Sequence, residues 1–280
     1  MTGGGKGSNQ ALAVARLGAE SRMVGCVGED DFGRRLREVL EENGVDCGHM
    51  EVRAGAGTGV AVITVTDEGE SSIIISRGAN VLLDAAVLER AEDVFASSDA
   101  ALFQMEVPSE TVAAGLRLAR RMGCRTFLSA EPPFSLPSEA WNCVDCLVLN
   151  EKALSFYVAK SGDESPSNER LGEMARQLQE RGVRDVVVTQ SARGGLIFTR
   201  AKSFAFDPFK VHVVDNTGAR DAFCAGLCVG LAEGMTMDRA ARFASAAGAL
   251  ACTRIGAHPS LPWRHEVEAL LEETEGDYAG

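Results

Sequence analysis

The chain has 280 residues, 45% of them hydrophobic, enough for one sizeable globular domain with a buried core. Its net charge of -12 and pI near 4.9 come without any basic stripe, which argues against nucleic acid and anionic membrane as partners. No apolar run approaches the roughly 20 residues that a membrane span needs, and the first residues, Met1 to Lys6, carry no apolar signal core. The eight cysteines sit mostly in apolar runs and read as small buried hydrophobes in a reducing, cytoplasmic compartment. Cys143 and Cys146 form a lone C-x-x-C with no second pair and no nearby histidine, so zinc and redox use are not expected there.

In chain order, Gly3-Gly4-Gly5-Lys6-Gly7-Ser8-Asn9-Gln10 precedes a helix carrying Leu12, Ala15 and Leu17. Residues 21–27 predict a strand, and Phe32, Leu36, Val39 and Leu40 recur at helical spacing up to an Asn43-Gly44 stop. From residue 49 to 76 the period changes: alternation over 60–66, a turn at Asp67 to Glu70 and a return over 72–76 predict a β-hairpin. This excursion, about residues 46–80, is expected to project as a lid from a single domain covering 1–280.

Strand and helix then alternate. Helices are expected over 84–95, 108–122, 151–159, 168–181, 219–233, 236–251 and 263–273. Strands are expected over 100–104, 125–129, 144–149, 185–189, 195–199 and 204–206. The region between 159 and 168 reads as a loop and the last six or so residues as a disordered tail. Such alternation implies a mainly parallel sheet covered by helices on both faces, an α/β/α three-layer arrangement. Ligands of such sheets bind at the carboxyl ends of the strands, where this chain has Gln104, Glu106, Ser129, Asn150, Glu151, Thr189, Gln190 and Asp215.

The stretch 213–226 organises the site. Val211, Val213 and Val214 predict a strand that stops at Asp215; a small-residue turn follows, and Asp221 lies at the opening of a long apolar helix. A helix start presents unpaired N–H groups and partial positive charge, a cradle for phosphate. An aspartate there suits accepting a proton from an attacking hydroxyl. The plain alternative is a helix cap.

These residues resemble the ribokinase group of phosphofructokinase-B-type sugar and nucleoside kinases. Gly4 to Ala11 resembles the family's first signature and Asp215 to Phe223 its second; Thr58 to Ala61 and Gly78 to Asn80 match its lid segment, and Thr253 to Trp263 its C-terminal run. The resemblance implies a ribokinase-like fold and ATP-dependent phosphorylation of D-ribose at O5. It implies Asp221 as general base, with Gly218, Ala219 and Arg220 offering backbone N–H groups to the transferring phosphoryl. Gly5, Lys6, Asn9 and Glu106 would hold the sugar, and Asn150, Thr189 and Ser191 would face ATP. Asp215, Thr217, Ala251, Arg254, Gly256 and Ser260 fall on the positions of a monovalent-cation site, usually potassium, while Mg²⁺ rides on the ATP phosphates. The lid would exclude water and form a homodimer contact.

The chain departs from the family at four places. The family's first strand, with further sugar ligands, has no counterpart ahead of Gly4, so a truncated product or degraded paralogue with an unpaired neighbouring strand is expected. The glycine before the catalytic aspartate is Arg220, whose guanidinium would obstruct the site or else stabilise the phosphoryl; obstruction is the expectation. The glutamate of the Asn-x-x-Glu motif is Ala153, with Glu151 pointing elsewhere. Two nucleotide-side loops read Thr189-Gln190-Ser191 and Ser129-Ala130-Glu131-Pro132. A non-catalytic relative that binds sugar or nucleotide, and a kinase of another sugar or nucleoside, stay open as alternatives.

Overall fold

The computed structural model describes residues 2–65, 71–158 and 166–276. The expected turn at Asp67 to Glu70, the loop before Asn168 and the tail fall largely outside the described residues. The elements run α1 (Lys6–Arg16), β1 (Ser21–Gly28), α2 (Asp31–Glu42), β2 (Val45–Arg53), β3 (Val60–Val65), β4 (Ser71–Ser76), α3 (Ala85–Arg90), α4 (Glu92–Ala96), β5 (Ala100–Gln104), α5 (Ser109–Met122), β6 (Arg125–Ser129) and β7 (Cys146–Asn150). They continue with α6 (Glu151–Val158), α7 (Asn168–Glu180), β8 (Asp185–Thr189), β9 (Gly195–Phe198), β10 (Ser203–Phe206), α8 (Ala219–Ala232), α9 (Met237–Ala251) and α10 (Arg264–Gly276).

A six-stranded sheet in the order β10-β9-β8-β7-β6-β5 forms the body. Its strands β5 to β8 are parallel, and β9 and β10 add an antiparallel edge. β6, β7 and β8 are near-continuous buried runs, as expected of parallel strands covered on both faces. One layer, from α5, α6 and α7, buries Leu116, Leu154, Leu171 and Met174 against one face. The other, led by α8 and α9, buries Phe223, Leu227 and Ala244 against Phe127, Val148 and Val187. The chain thus has an α/β architecture, with a mainly parallel sheet between helices.

β1 and β2 pair in parallel as a separate two-stranded sheet, and β3 with β4 make the antiparallel hairpin. Among the described residues β5 pairs with β6 alone and ends the main sheet. A cavity of about 1280 Å³ separates the β5 side, with Leu102 and Gln104, from the β1 side, with Met23 and Val24, and continues to the start of α1. The hairpin's Ala61 and Ile75 touch this cavity but remain exposed, as do their strand neighbours Val62 and Ile74, a directly opposed cross-strand pair.

Three expectations are corrected. Residues 211–214 form no strand: no neighbour offers a ladder, and Val214 N and Asp215 N instead donate to the Cys252 carbonyl at 2.8 and 3.2 Å. The segment assigned to the lid begins with β2, which belongs to the β1 sheet, so the projecting part is the hairpin alone. The helix expected over 84–95 breaks at Ala91, whose ψ of 15° leaves its N–H bonded three residues back to Leu88.

Candidate active site

Two helix starts meet at the site. α1 begins at Gly5, whose φ of 99° is a left-handed conformation that favours glycine. α8 begins at Gly218, with φ 82° and no side chain capping its first turn; Ala219 N there donates to the Asn216 carbonyl at 3.3 Å, a long bond that an anion could replace. The two helices pack through Leu12, Ala13, Ala222 and Ala225. On its other side α8 approaches α9 closely: a Cβ added at Gly226 would lie 3.0 Å from Ala244.

This packing joins the two signatures. Asp221 is buried, and its carboxylate accepts from Asn9 Nδ2 at 2.7 Å and Gln10 Nε2 at 2.8 Å. Gln10 in turn accepts from Gln104 Nε2 at 2.6 Å, at the end of β5. Burial pushes the Asp221 carboxyl up, against the opposing pull of the Asn9 and Gln10 hydrogen bonds. A carboxylate so raised is a stronger proton acceptor than an exposed one.

Beside it, Lys6 N donates to Glu106 Oε2 at 3.0 Å, and Lys6 Nζ stands 3.6 Å from Glu106 Oε1. Both side chains remain about a third exposed, and Glu106 lines the cavity together with Asn9. Gly4, Gly5, Asn9, Glu106, Asp215 and Gly256 share that cavity with the hairpin residues Ala61 and Ile75.

The carboxyl ends of β6 and β7 meet the same region. Glu131 accepts from Asn150 N at 2.8 Å and Asn150 Nδ2 at 2.9 Å, and forms an ion pair with Arg220. Arg220 therefore neither projects freely nor caps Asp221; it reaches across from α8 to Glu131. Asn150 Oδ1 accepts from Ala153 N at 2.7 Å, capping α6. Ala153 is buried and carries no polar group, and Glu151 faces away from Asp221, held by Arg193 at 2.8 and 2.9 Å and by Gln190 at 2.9 Å. Thr189 and Ser191 follow β8; Thr189 Oγ1 donates to the Leu149 carbonyl at 3.4 Å, and Ser191 turns the chain at φ 56°.

A third group gathers at the turn before α8. Asp215 accepts from Thr217 N at 2.9 Å, Thr217 Oγ1 at 2.7 Å and Gly256 N at 2.8 Å. Ser260 Oγ donates to the Thr217 carbonyl at 3.3 Å. Burial pushes the Asp215 carboxyl up, but these donors outweigh it and hold the group below its ordinary value. Ala251 closes α9 next to the Cys252 carbonyl that Val214 and Asp215 grip, and the Arg254 side chain turns outward to Glu266. Among the described residues no cluster of three or more His, Cys, Asp or Glu is placed to hold a metal. A cation in this turn would rest on neutral oxygens and one carboxylate, a donor set suited to a large monovalent ion.

Two site residues escaped sequence reasoning as functional groups. Gln10 was only part of a signature, yet it is the second amide on Asp221. Glu131 was read as a loop departure, yet it links Asn150 to Arg220. Neither carries a sequence signal beyond standing next to a motif or at a strand end.

The pfkB family carbohydrate kinase profile matches residues 1–264. Ribokinase of Bacillus subtilis is 34% identical over 268 residues, spanning 96% of this chain and 87% of that protein. Ribokinase of Haemophilus influenzae is 32% identical over 269 residues, with 96% and 87% covered. Among solved structures, Thermotoga maritima ribokinase superposes with TM-score 0.86 at 33% identity, covering 96% of this chain and 87% of that one. Arabidopsis thaliana ribokinase in complex with ribose and ATP superposes with TM-score 0.90 at 29% identity, with the same coverage. A probable chloroplastic fructokinase of Arabidopsis thaliana is 31% identical over 295 residues, with 96% and 74% covered. The chain belongs to the pfkB family of carbohydrate kinases, and is a sugar kinase of the phosphotransferase class.

Proposed function

We propose that this sugar kinase transfers the γ-phosphoryl group of ATP to the 5-hydroxyl of D-ribose. The observation that carries the reading is the junction of the two signatures: a buried carboxylate, Asp221, gripped by Asn9 and Gln10 at the uncapped start of α8. The ribokinase names of the most similar relatives, and the ribose and ATP in the Arabidopsis complex, support the choice of substrates.

Lys6, Asn9 and Glu106 hydrogen-bond the sugar, and Gly5 admits it close to the backbone. Asp221 gives up one amide partner to take the hydroxyl proton as the oxygen attacks phosphorus. The N–H groups of Gly218, Ala219 and Arg220 receive the charge that develops on the phosphoryl oxygens. Asn150, Thr189 and Ser191 line the nucleotide side. Mg²⁺ carried on the ATP phosphates would supply charge neutralisation there. Oxygens of Asp215, Thr217, Ala251, Arg254, Gly256 and Ser260 would hold potassium, which would add positive charge beside the α8 start.

The hairpin closes over the sugar, its Ala61 and Ile75 face towards the cavity, and excludes water that would compete as acceptor. Its opposite face, with Val62 53% and Ile74 69% exposed, supports pairing with a second copy in a homodimer. Among the described residues no helix is long and apolar enough to cross a membrane; the eight free cysteines fit a reducing, cytoplasmic compartment.

The test is ADP release with ATP, Mg²⁺ and K⁺ in the presence of D-ribose, D-fructose or no sugar, with phosphorus NMR of the product. Ribose-dependent ADP release and a phosphate on O5 support the proposal. Turnover confined to D-fructose would move the assignment to the fructokinase-like relatives and overturn it.

A further inference from the structure

The residue ahead of Asp221 is an arginine, and where its guanidinium goes has consequences for how phosphate is held. Arg220 is the second residue of α8, and Glu131 follows the end of β6. Their ion pair therefore bridges the opening of α8 and the carboxyl ends of β6 and β7. The pair is asymmetric: the Glu131 side chain is 10% exposed, whereas that of Arg220 is 37% exposed. Glu131 also keeps two donors of its own in Asn150 N and Nδ2. The anchor is thus fixed and satisfied from within, and the cation is reachable from solvent. A guanidinium presents paired donors that match two phosphate oxygens.

We propose that Glu131 and Arg220 form a parked phosphate clamp: in the empty site Glu131 holds the guanidinium beside the start of α8, and arriving nucleotide phosphates take Arg220 over from Glu131. The inference rests on the sugar-kinase reading above and names a phosphate-contacting side chain, Arg220, and its positioning residue, Glu131. The ligand class is the oligophosphate of a nucleoside di- or triphosphate. After the exchange Glu131 retains its Asn150 donors. Burial pushes its carboxyl up, outweighing the pull of Arg220 and Asn150.

Calorimetric titrations of ADP, inorganic tripolyphosphate and D-ribose into the wild type and the variants R220G, R220K and E131Q test this. Losing a charge-assisted bidentate contact should weaken ADP and tripolyphosphate binding roughly tenfold or more in R220G. R220K should fall between the two, E131Q should bind both at least as tightly as the wild type, and D-ribose affinity should stay unchanged throughout. The double variant E131Q/R220G, which leaves no buried charge unpaired, replaces R220G if that chain fails to fold. Equal or tighter ADP binding by the arginine-free chain would make the guanidinium a plug, overturning the clamp while leaving the kinase reading intact. A wild type that binds tripolyphosphate through Arg220 but not ADP would overturn the clamp as a nucleotide site. Binding of neither anion overturns both.

Discussion

Asn9 donates from Nδ2 to Asp221 Oδ2 across 2.7 Å, tying the first turns of α1 and α8 to one another. With Gln10 on the other carboxylate oxygen, both lone-pair faces of the aspartate are engaged by neutral amides rather than by a cation. The carboxylate is therefore oriented without being neutralised, and burial leaves it a better base than a surface aspartate.

Replacing Asp221 with asparagine separates catalysis from stability. Loss of a general base lowers kcat by about 10²–10⁴-fold, with the sugar and nucleotide affinities largely retained. The same change should stabilise the fold near neutral pH. Asp221 has a folded pKa above its ordinary 3.8, so its stabilising contribution is full below that value and is lost as pH rises through the folded pKa. The gap in denaturation midpoint between Asp221→Asn and the wild type should thus widen as pH climbs above 3.8 and close below it. An asparagine variant that is less stable than the wild type at pH 7 would contradict this.

His258 carries an opposite pH signature. It is buried, its Nε2 lies 3.1 Å from Ser8 Oγ, and its Nδ1 has no partner among the described residues. Burial, reinforced by the nearby Arg16 guanidinium, pulls its pKa from 6.5 down to about 4. A depressed histidine stabilises the fold above its unfolded pKa and loses that contribution as pH falls from 6.5 towards 4. The stake is about 3 kcal/mol. Urea titrations between pH 7 and 4 should show this acid-side loss in the wild type and a flatter profile in His258→Asn; parallel profiles would show that His258 is not the titrating group.

Much of the α/β alternation could be read from the chain because its signals are local. Asp30 caps α2 through Gly33 N, as a side-chain oxygen at a helix start should, and Gly123 ends α5 in a left-handed conformation. β2 was hidden by a bulge: Asp46 pairs with Arg22 but His49 pairs with Val24, so two residues face one and the two-residue period slips after Cys47. Val211 to Val214 shows the converse, β-branched residues without a neighbouring strand. The two signatures name Asp221 and Asn9, which the fold brings into hydrogen-bond contact, whereas the Gln10 and Glu131 contacts join residues 211 and 89 positions apart, and no local pattern encodes such pairs.

The sugar side can be probed through Lys6. Its Nζ faces Glu106 at 3.6 Å, and both side chains keep about a third of their surface for a ligand. Lys6→Met should raise the KM for D-ribose about 10–100-fold, the range expected for one hydrogen bond to a charged group, and leave the KM for ATP within about twofold. Because the exposed ion pair contributes about 1 kcal/mol or less to folding, the melting temperature should barely move. Equal increases in both KM values would place Lys6 outside the sugar subsite.

The root of the hairpin offers the last test. Asp30 caps α2 and also accepts from Thr58 N at 2.7 Å and Thr58 Oγ1 at 2.6 Å, just before β3, while Gly28 N donates to Thr58 Oγ1 at 2.9 Å. Space there is tight: a Cβ on Gly28 would stand 2.4 Å from the Ala56 carbonyl oxygen and 2.5 Å from Thr58 N, both backbone. One carboxylate thus pins the root of the hairpin to the helix that follows β1. Asp30→Ala removes the cap, at about 1–2 kcal/mol, and frees the Thr58 end of the hinge. Global stability should fall by that amount, and hydrogen exchange over residues 58–65 should accelerate more than exchange in β6 to β8. If the lid shields the transferring phosphoryl from water, sugar-independent ATP hydrolysis should rise relative to sugar phosphorylation. Asp30→Asn, which keeps one acceptor oxygen for the cap, should restore most of the stability and only part of the coupling. Uniform acceleration of exchange across the chain would show that Asp30 serves the fold as a whole and has no particular hold on the lid.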